Sequence, residues 1–213
     1  MSVKKSILIA IMAHAALGLS NITSAGETDS SYSQGPSKQE TLEFITELSK
    51  ECPSLPSGHN TYPRKSLSDI RFGLSGPVLT LEWRNSGQLG QDYITLGGGG
   101  GQTYTYTGEV TTRFTIPLDQ LSGEVEVNNN DLKLSCMLKP CIQKVARGMG
   151  KVHKKWRYER KDPWEFHEED YSKNSDQEFR SINIELCSNI DGNRLQKAYT
   201  HLIKLHGGKK PLF

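Results

Sequence analysis

Beyond residue 25 no run of apolar residues approaches the roughly 20 that a membrane-spanning helix needs, so that part of the chain is expected to hold no transmembrane segment. Surplus charge is missing too. Lys4 and Lys5 fall before residue 26, and the remainder balances its 24 Asp+Glu with an equal number of Lys+Arg. Such a balance gives little long-range attraction to polyanions, so nucleic acid is not expected as a partner. An anionic ligand would have to be met by a local patch. No Gly-x-Ser-x-Gly elbow, His-Glu-x-x-His helix or Cys/His nucleophile signature occurs, so no catalytic residue is assigned. Paired-cysteine and histidine spacings of zinc sites are missing as well, and neither a metal nor another cofactor is expected.

What is present begins at the N-terminus. Lys4 and Lys5 precede an apolar run from Ile7 to Leu19, interrupted by His14, and Thr23-Ser24-Ala25 places small residues at a cleavage position. This is the pattern of a signal peptide over residues 1–25, cleaved after Ala25. The product is expected to be secreted or periplasmic, and its length of about 190 residues suits a single domain with a real core. The four cysteines all lie in that product. An even count in an exported chain favours two disulfides, for which three connectivities exist. The segment from Ser135 to Cys141 reads as a strand end, a proline turn and a return, which favours Cys136 with Cys141. Cys52 is then left with Cys187.

Residues 26–36 lack periodicity and are read as a flexible leader, and residues 209–213 as a tail. Between them, 37–208 is expected to form one domain. Ser37-Lys38-Gln39-Glu40 has capping-box spacing, and Thr41, Leu42, Phe44, Ile45, Leu48 and Cys52 follow at helical intervals until Pro53 and Pro56. From Ser66 onward the period becomes two. Ile70, Phe72 and Leu74 alternate, as do Leu79, Leu81 and Trp83, then Val110 to Leu118, Leu132 to Cys136, and Ile182 to Leu186. Short antiparallel strands joined by polar turns are the expectation. A second helix is read from Asp191 as N-cap, through Leu195, Ala198, Tyr199, Leu202 and Leu205, to a stop at Gly207-Gly208. The fold class is therefore α+β: a curved, mainly antiparallel β-sheet or partly open barrel, with an N-terminal helix and a C-terminal amphipathic helix.

Three segments, Arg113 to Leu121, Leu132 to Ile142 and Ser181 to Leu205, give this order a resemblance. A curved antiparallel sheet followed by one amphipathic helix resembles the pleckstrin-homology-like build and is similar to small secreted bacterial proteins. The resemblance implies a fold and a habit of binding, without a ligand. The N-terminal helix is an addition to that build, and the loop Gly73-Leu74-Ser75-Gly76-Pro77 lacks the basic residues with which lipid-binding members hold phosphoinositides.

The candidate sites concentrate in 144–179, read as a charged excursion between strands. Lys144, Arg147, Lys151, Lys154, Lys155, Arg157, Arg160 and Lys161 are followed by Asp162, Glu165, Glu168, Glu169, Asp170, Asp176 and Glu178. Lys151, Lys154, Lys155, Trp156, Arg157 and Tyr158 form a basic, aromatic block able to contact an anionic ligand or a protein partner. The two charge blocks can equally neutralise each other. His153, His167, Glu168, Glu169 and Asp170 carry donors for acid/base chemistry but at no recognised ligand spacing. Gly97 to Gly101 lacks the Gly-Lys-Ser/Thr ending of a phosphate loop and reads as a mobile hairpin tip. The functional expectation is an exported soluble binding or interaction module. The alternatives are a small secreted hydrolase using the histidine and carboxylate groups, and an inhibitor or immunity-like protein.

Overall fold

The computed structural model describes residues 35–51, 54–57, 65–128, 130–186 and 192–208. The expected signal peptide, most of the expected leader, Cys52, Cys187, the expected Asp191 cap and the expected tail lie outside them. Helix α1 (Lys38–Glu51) begins on the capping box. The Ser37 N–H donates to Glu40 Oε2 at 2.7 Å and the Glu40 N–H donates to Ser37 Oγ at 3.2 Å, satisfying two otherwise orphaned donors. These bonds hold the Glu40 carboxyl below its ordinary pKa, the one from the Ser37 backbone foremost. Helix α2 (Gly192–Leu205) buries Leu195, Ala198, Tyr199, Leu202 and Ile203. Ile203 thus takes the place expected of Leu205, which is more than one-third exposed at 37%. Gly207, at φ 87, ends the helix in the left-handed region that glycine tolerates, and the Gly208 N–H donates back to the Ile203 carbonyl.

Eight strands lie between the helices: β1 (Lys65–Ser75), β2 (Val78–Thr95), β3 (Gly99–Pro117), β4 (Glu126–Asn128), β5 (Asp131–Ser135), β6 (Ile142–Glu159), β7 (Glu165–Phe179) and β8 (Ser181–Glu185). They form two antiparallel sheets, a large one ordered β1-β2-β3-β6-β7 and a small one ordered β4-β5-β8. The sheets do not close into a barrel. The expectation of short strands is corrected for the large sheet, where β2 and β6 each run 18 residues and β3 runs 19. At the usual rise these strands are about 60 Å long, two to three times an ordinary strand. The segment 144–179 is likewise not an excursion between strands. It is most of β6 and all of β7, joined by the short turn 160–164.

One core serves both sheets and both helices. Leu79, Leu81 and Trp83 of β2, Phe114 and Ile116 of β3, and Ile142 of β6 pack with Leu132 and Leu134 of β5, Ile182 and Ile184 of β8, and the buried faces of the helices. Every large-sheet residue in this cluster comes from one half of its strand. The boundary is a row of small residues in register: Gly87 on β2 opposes Gly108 on β3, which opposes Gly150 on β6. Here the backbones come too close for side chains. A Cβ on Gly150 would sit 1.8 Å from the Thr107 carbonyl oxygen, and Gly108 has φ 141. The described part of β1 begins at the same row, where Lys65 pairs with Gly87. Beyond it only β2, β3, β6 and β7 continue, with no second layer over them among the described residues.

The Cys136–Cys141 disulfide is present, with its Cα atoms 6.0 Å apart, linking the end of β5 to the residue before β6. No described helix is long and apolar enough to cross a membrane.

Candidate functional site

Beyond the glycine row the large sheet is exposed on both faces, and its strands decide where each side chain points. On the face continuous with the core lie Gln102, Tyr104 and Tyr106 of β3, Val152, Lys154, Trp156 and Tyr158 of β6, and Glu165, His167, Glu169 and Tyr171 of β7. The other face carries Lys151, His153, Lys155 and Arg157 opposite Asp170, Glu168, Phe166 and Trp164. The six residues of the expected basic, aromatic block are therefore divided. Lys154, Trp156 and Tyr158 share the core-side face, while Lys151, Lys155 and Arg157 point away from them.

The cations differ in what they meet. Lys151 lies 2.9 Å from Asp170 and 3.5 Å from Glu168, and Lys154 lies 2.6 Å from Glu169. Arg147 pairs with Asp176 at 2.7 Å. Antiparallel pairing thus sets the basic stretch of β6 against the acidic stretch of β7. The hydrogen bond from Lys151 lowers the Asp170 pKa and that from Lys154 lowers the Glu169 pKa, while the Asp170 hydrogen bond raises Lys151. Lys155 and Arg157 meet no carboxylate among the described residues. Their cations lie 4.6 and 4.5 Å from the Trp164 ring centroid, and Lys155 also lies 5.5 Å from that of Phe166.

Aromatic side chains crowd the same region. Tyr106 and Tyr171 meet at a centroid distance of 5.0 Å, and the Tyr106 hydroxyl donates to Asp92 at 3.1 Å. Lys154 reaches over Tyr104, and Tyr104, Trp156, Tyr158, His167 and Glu165 border a cleft of about 330 Å3. Tyr93, Ile94, Met149, Tyr158 and Phe166 are between 47% and 76% exposed, and all of them belong to this end of the sheet or to its boundary. The five-glycine run lies at the tip of the β2–β3 hairpin, with Gly97 and Gly98 in the exposed turn and Gly99 to Gly101 already in β3. Gly100 and Gly101 are buried, and a Cβ on Gly100 would fall 2.0 Å from the Tyr158 carbonyl oxygen, so glycine lets β3 lie flush against β6.

Several residues of this surface escaped sequence reasoning. Trp164, Phe166 and Tyr171 sit inside a stretch dominated by acids, and Tyr104 and Tyr106 follow the glycine run in a stretch without large aliphatic residues. The two-residue alternation Val152, Lys154, Trp156, Tyr158 was the available signal.

A second arrangement has catalytic connectivity. Thr107 Oγ1 lies 2.9 Å from His153 Nε2, and His153 Nδ1 lies 3.1 Å from Glu168 Oε2. With Nδ1–H donating to Glu168, Nε2 accepts from the hydroxyl, which is the order of nucleophile, base and orienting acid. The three sit on an open strand face, with His153 and Glu168 about half exposed. Among the described residues no three His, Cys, Asp or Glu side chains converge as metal ligands would. The largest described cavity, about 780 Å3, lies elsewhere, between α1 and α2, bordered by Phe44, Arg194, Ala198 and His201.

No known protein family, curated protein sequence or solved structure matches the chain.

Proposed function

We propose that the protein is an exported binding module that engages a partner through the uncovered outer half of its large sheet. The observation carrying this reading is the set of large apolar side chains left in solvent on the face turned away from the core, Tyr93, Met149 and Phe166, with Tyr93, Thr103, Lys155 and Phe166 in one cross-strand row. Contiguous exposed apolar surface is a feature of interaction sites rather than of inert protein surface. Rings interleaved with charge suit a protein partner, because aromatic anchors supply contact area and ion pairs at their rim supply register. Polyanions gain less from this surface, since Arg147, Lys151 and Lys154 already face carboxylates. Export is supported by the signal-like pattern of residues 1–25 and by the Cys136–Cys141 bridge.

The test is affinity capture from an envelope extract with the wild type and with Tyr93→Ala and Phe166→Ala variants. A specific partner should be lost, or bound about tenfold more weakly, when either ring is removed. Equal capture by all three proteins would overturn the assignment of this surface.

The Thr107–His153–Glu168 chain favours one other reading, that of a hydrolase with Thr107 as nucleophile. Burst kinetics with an activated ester decide it: Thr107→Ala should abolish a burst that the wild type shows. A wild type without any burst removes this reading.

A further inference from the structure

Just inside the glycine row, on the core-side face of the large sheet, lies a cluster of cationic and polar side chains. There Trp83, Thr112, Phe114, Lys144, Tyr171 and Lys173 border a cavity of about 160 Å3 that holds no carboxylate in its lining. Lys144 is on β6 and Lys173 on β7, and register puts both on one face: Lys144 opposes Phe114, and Lys173 opposes Gly148. Neither lysine pairs with an acid among the described residues, unlike Arg147, Lys151 and Lys154 on the same strand. Lys144 is half-buried, with its ammonium 5.7 Å from the Phe114 ring centroid.

We propose that this cavity is a binding site for a dianionic tetrahedral oxyanion, either free phosphate or the phosphoryl group of a phosphomonoester. Two unneutralised cations converging on one small space repel each other, and a bound dianion converts that repulsion into two charge-assisted hydrogen bonds. The Thr112 and Tyr171 hydroxyls and the Asn85 side chain supply polar groups beside the cations. Burial, followed by the field of Lys173, pushes the Lys144 pKa down, in keeping with a cation held where it lacks a counter-charge. Volume decides the size of the ligand. Pockets for drug-sized molecules occupy roughly 300–1,000 Å3, so this one admits an oxyanion headgroup and excludes a base or a sugar ring from its interior. Any larger ligand must leave the rest of itself outside, towards the Tyr106–Tyr171 pair. The site is independent of the outer aromatic surface, and either assignment can fail without the other.

Trp83 provides the readout. In a Trp156→Phe/Trp164→Phe background it is the sole tryptophan, and it borders the cavity. Inorganic phosphate, glycerol 3-phosphate, acetate and chloride are titrated at matched ionic strength. Phosphate or the ester should change Trp83 emission saturably at millimolar concentration or below, and more tightly than acetate. Tighter binding of phosphate identifies the free ion, and tighter binding of glycerol 3-phosphate identifies a phosphoryl group on a larger ligand. Lys144→Met and Lys173→Met keep the apolar stems, and each should weaken the response about tenfold. Because Lys173 is exposed, its variant tests charge without disturbing the core. No saturable change at ten millimolar, acetate binding as tightly as phosphate, or an unchanged affinity in the Lys173→Met protein would each overturn the proposal.

Discussion

The two halves of the large sheet share strands, hydrogen-bond ladders and registers, yet among the described residues one is covered and the other is not. In the inner half, alternate residues of β2 and β3 are buried against the small sheet and both helices. In the outer half the same alternation continues with tyrosines, tryptophan and charge, and among the described residues Val152 is its one buried large apolar side chain. Strand geometry alone therefore does not confer stability here. Burial does, and the outer half borrows its order from the inner half through continuous backbone, a glycine row that permits close contact, and a ladder of exposed ion pairs. The difference places stability at one end and accessible recognition chemistry at the other.

The strongest way to break this division is to empty the inner half. Phe114 stacks on Trp83 at 5.7 Å and on Phe179 at 6.2 Å, joining three strands. Phe114→Ala should cost about 3–5 kcal/mol of global stability in chemical denaturation. Amide protection in the outer half should fall with it. If outer amides kept their protection while the inner ones lost theirs, the outer sheet would be self-supporting. The boundary should respond next. Gly150→Ala forces a Cβ against the Thr107 carbonyl, and the required backbone shift should destabilise by roughly 1–3 kcal/mol. An unchanged denaturation midpoint would show that the row is not under steric constraint.

A smaller effect sharpens the view of the inner half. The Tyr199 side chain is fully buried, its hydroxyl has no hydrogen-bond partner among the described residues, and burial pushes its pKa up. Removing an unsatisfied buried hydroxyl while keeping the ring should be neutral or stabilising, by up to about 1 kcal/mol. A loss of stability in Tyr199→Phe, read from thermal unfolding, would instead show that the hydroxyl finds a partner in solution.

How far the sequence foretold this arrangement depends on where water lies. Helix α1 was legible because its signals are local: Ser37 and Glu40 cap it, and Thr41, Leu42 and Ile45 face the core. Helix α2 was legible apart from its last turn, where Ile203 and Leu205 are both apolar and only the packed neighbours decide which is buried. The inner strands showed themselves by apolar alternation. The segment 144–179 carries only the short alternation Val152, Lys154, Trp156, Tyr158, because both its faces meet solvent and most of its residues are polar. Its charge blocks were visible, and their mutual neutralisation was one of the two readings they allowed. Which cation meets which acid depends on the β6–β7 register, as does the solitude of Lys144 and Lys173. That register is a tertiary property.

The smallest predicted effect isolates the ladder of the outer half. Asp170 and Glu169 are held below the ordinary carboxylate range by hydrogen bonds from Lys151 and Lys154. A carboxylate whose folded pKa is depressed contributes stability above its unfolded pKa, about 4, and loses it as pH falls through the folded value. Lys151 is raised, and its contribution is complete below the lysine reference value of roughly 10.4, disappearing as pH climbs past the folded value. The ladder should therefore operate across the neutral range and dissolve towards pH 3. These groups are exposed, so screening keeps the effect local and the global unfolding midpoint is a poor reporter. Amide exchange, corrected for intrinsic rates, is the suitable measurement. Between pH 6 and pH 3, protection should fall along Gly150–Trp156 of β6 and Glu165–Tyr171 of β7, while Leu79–Trp83 of β2 keeps its protection. Asp170→Asn should lose part of this pH dependence at neutral pH already. If acid instead lowered protection equally in both halves, the ion pairs would not be what secures the outer strands, and backbone continuity with the core would have to account for their order alone.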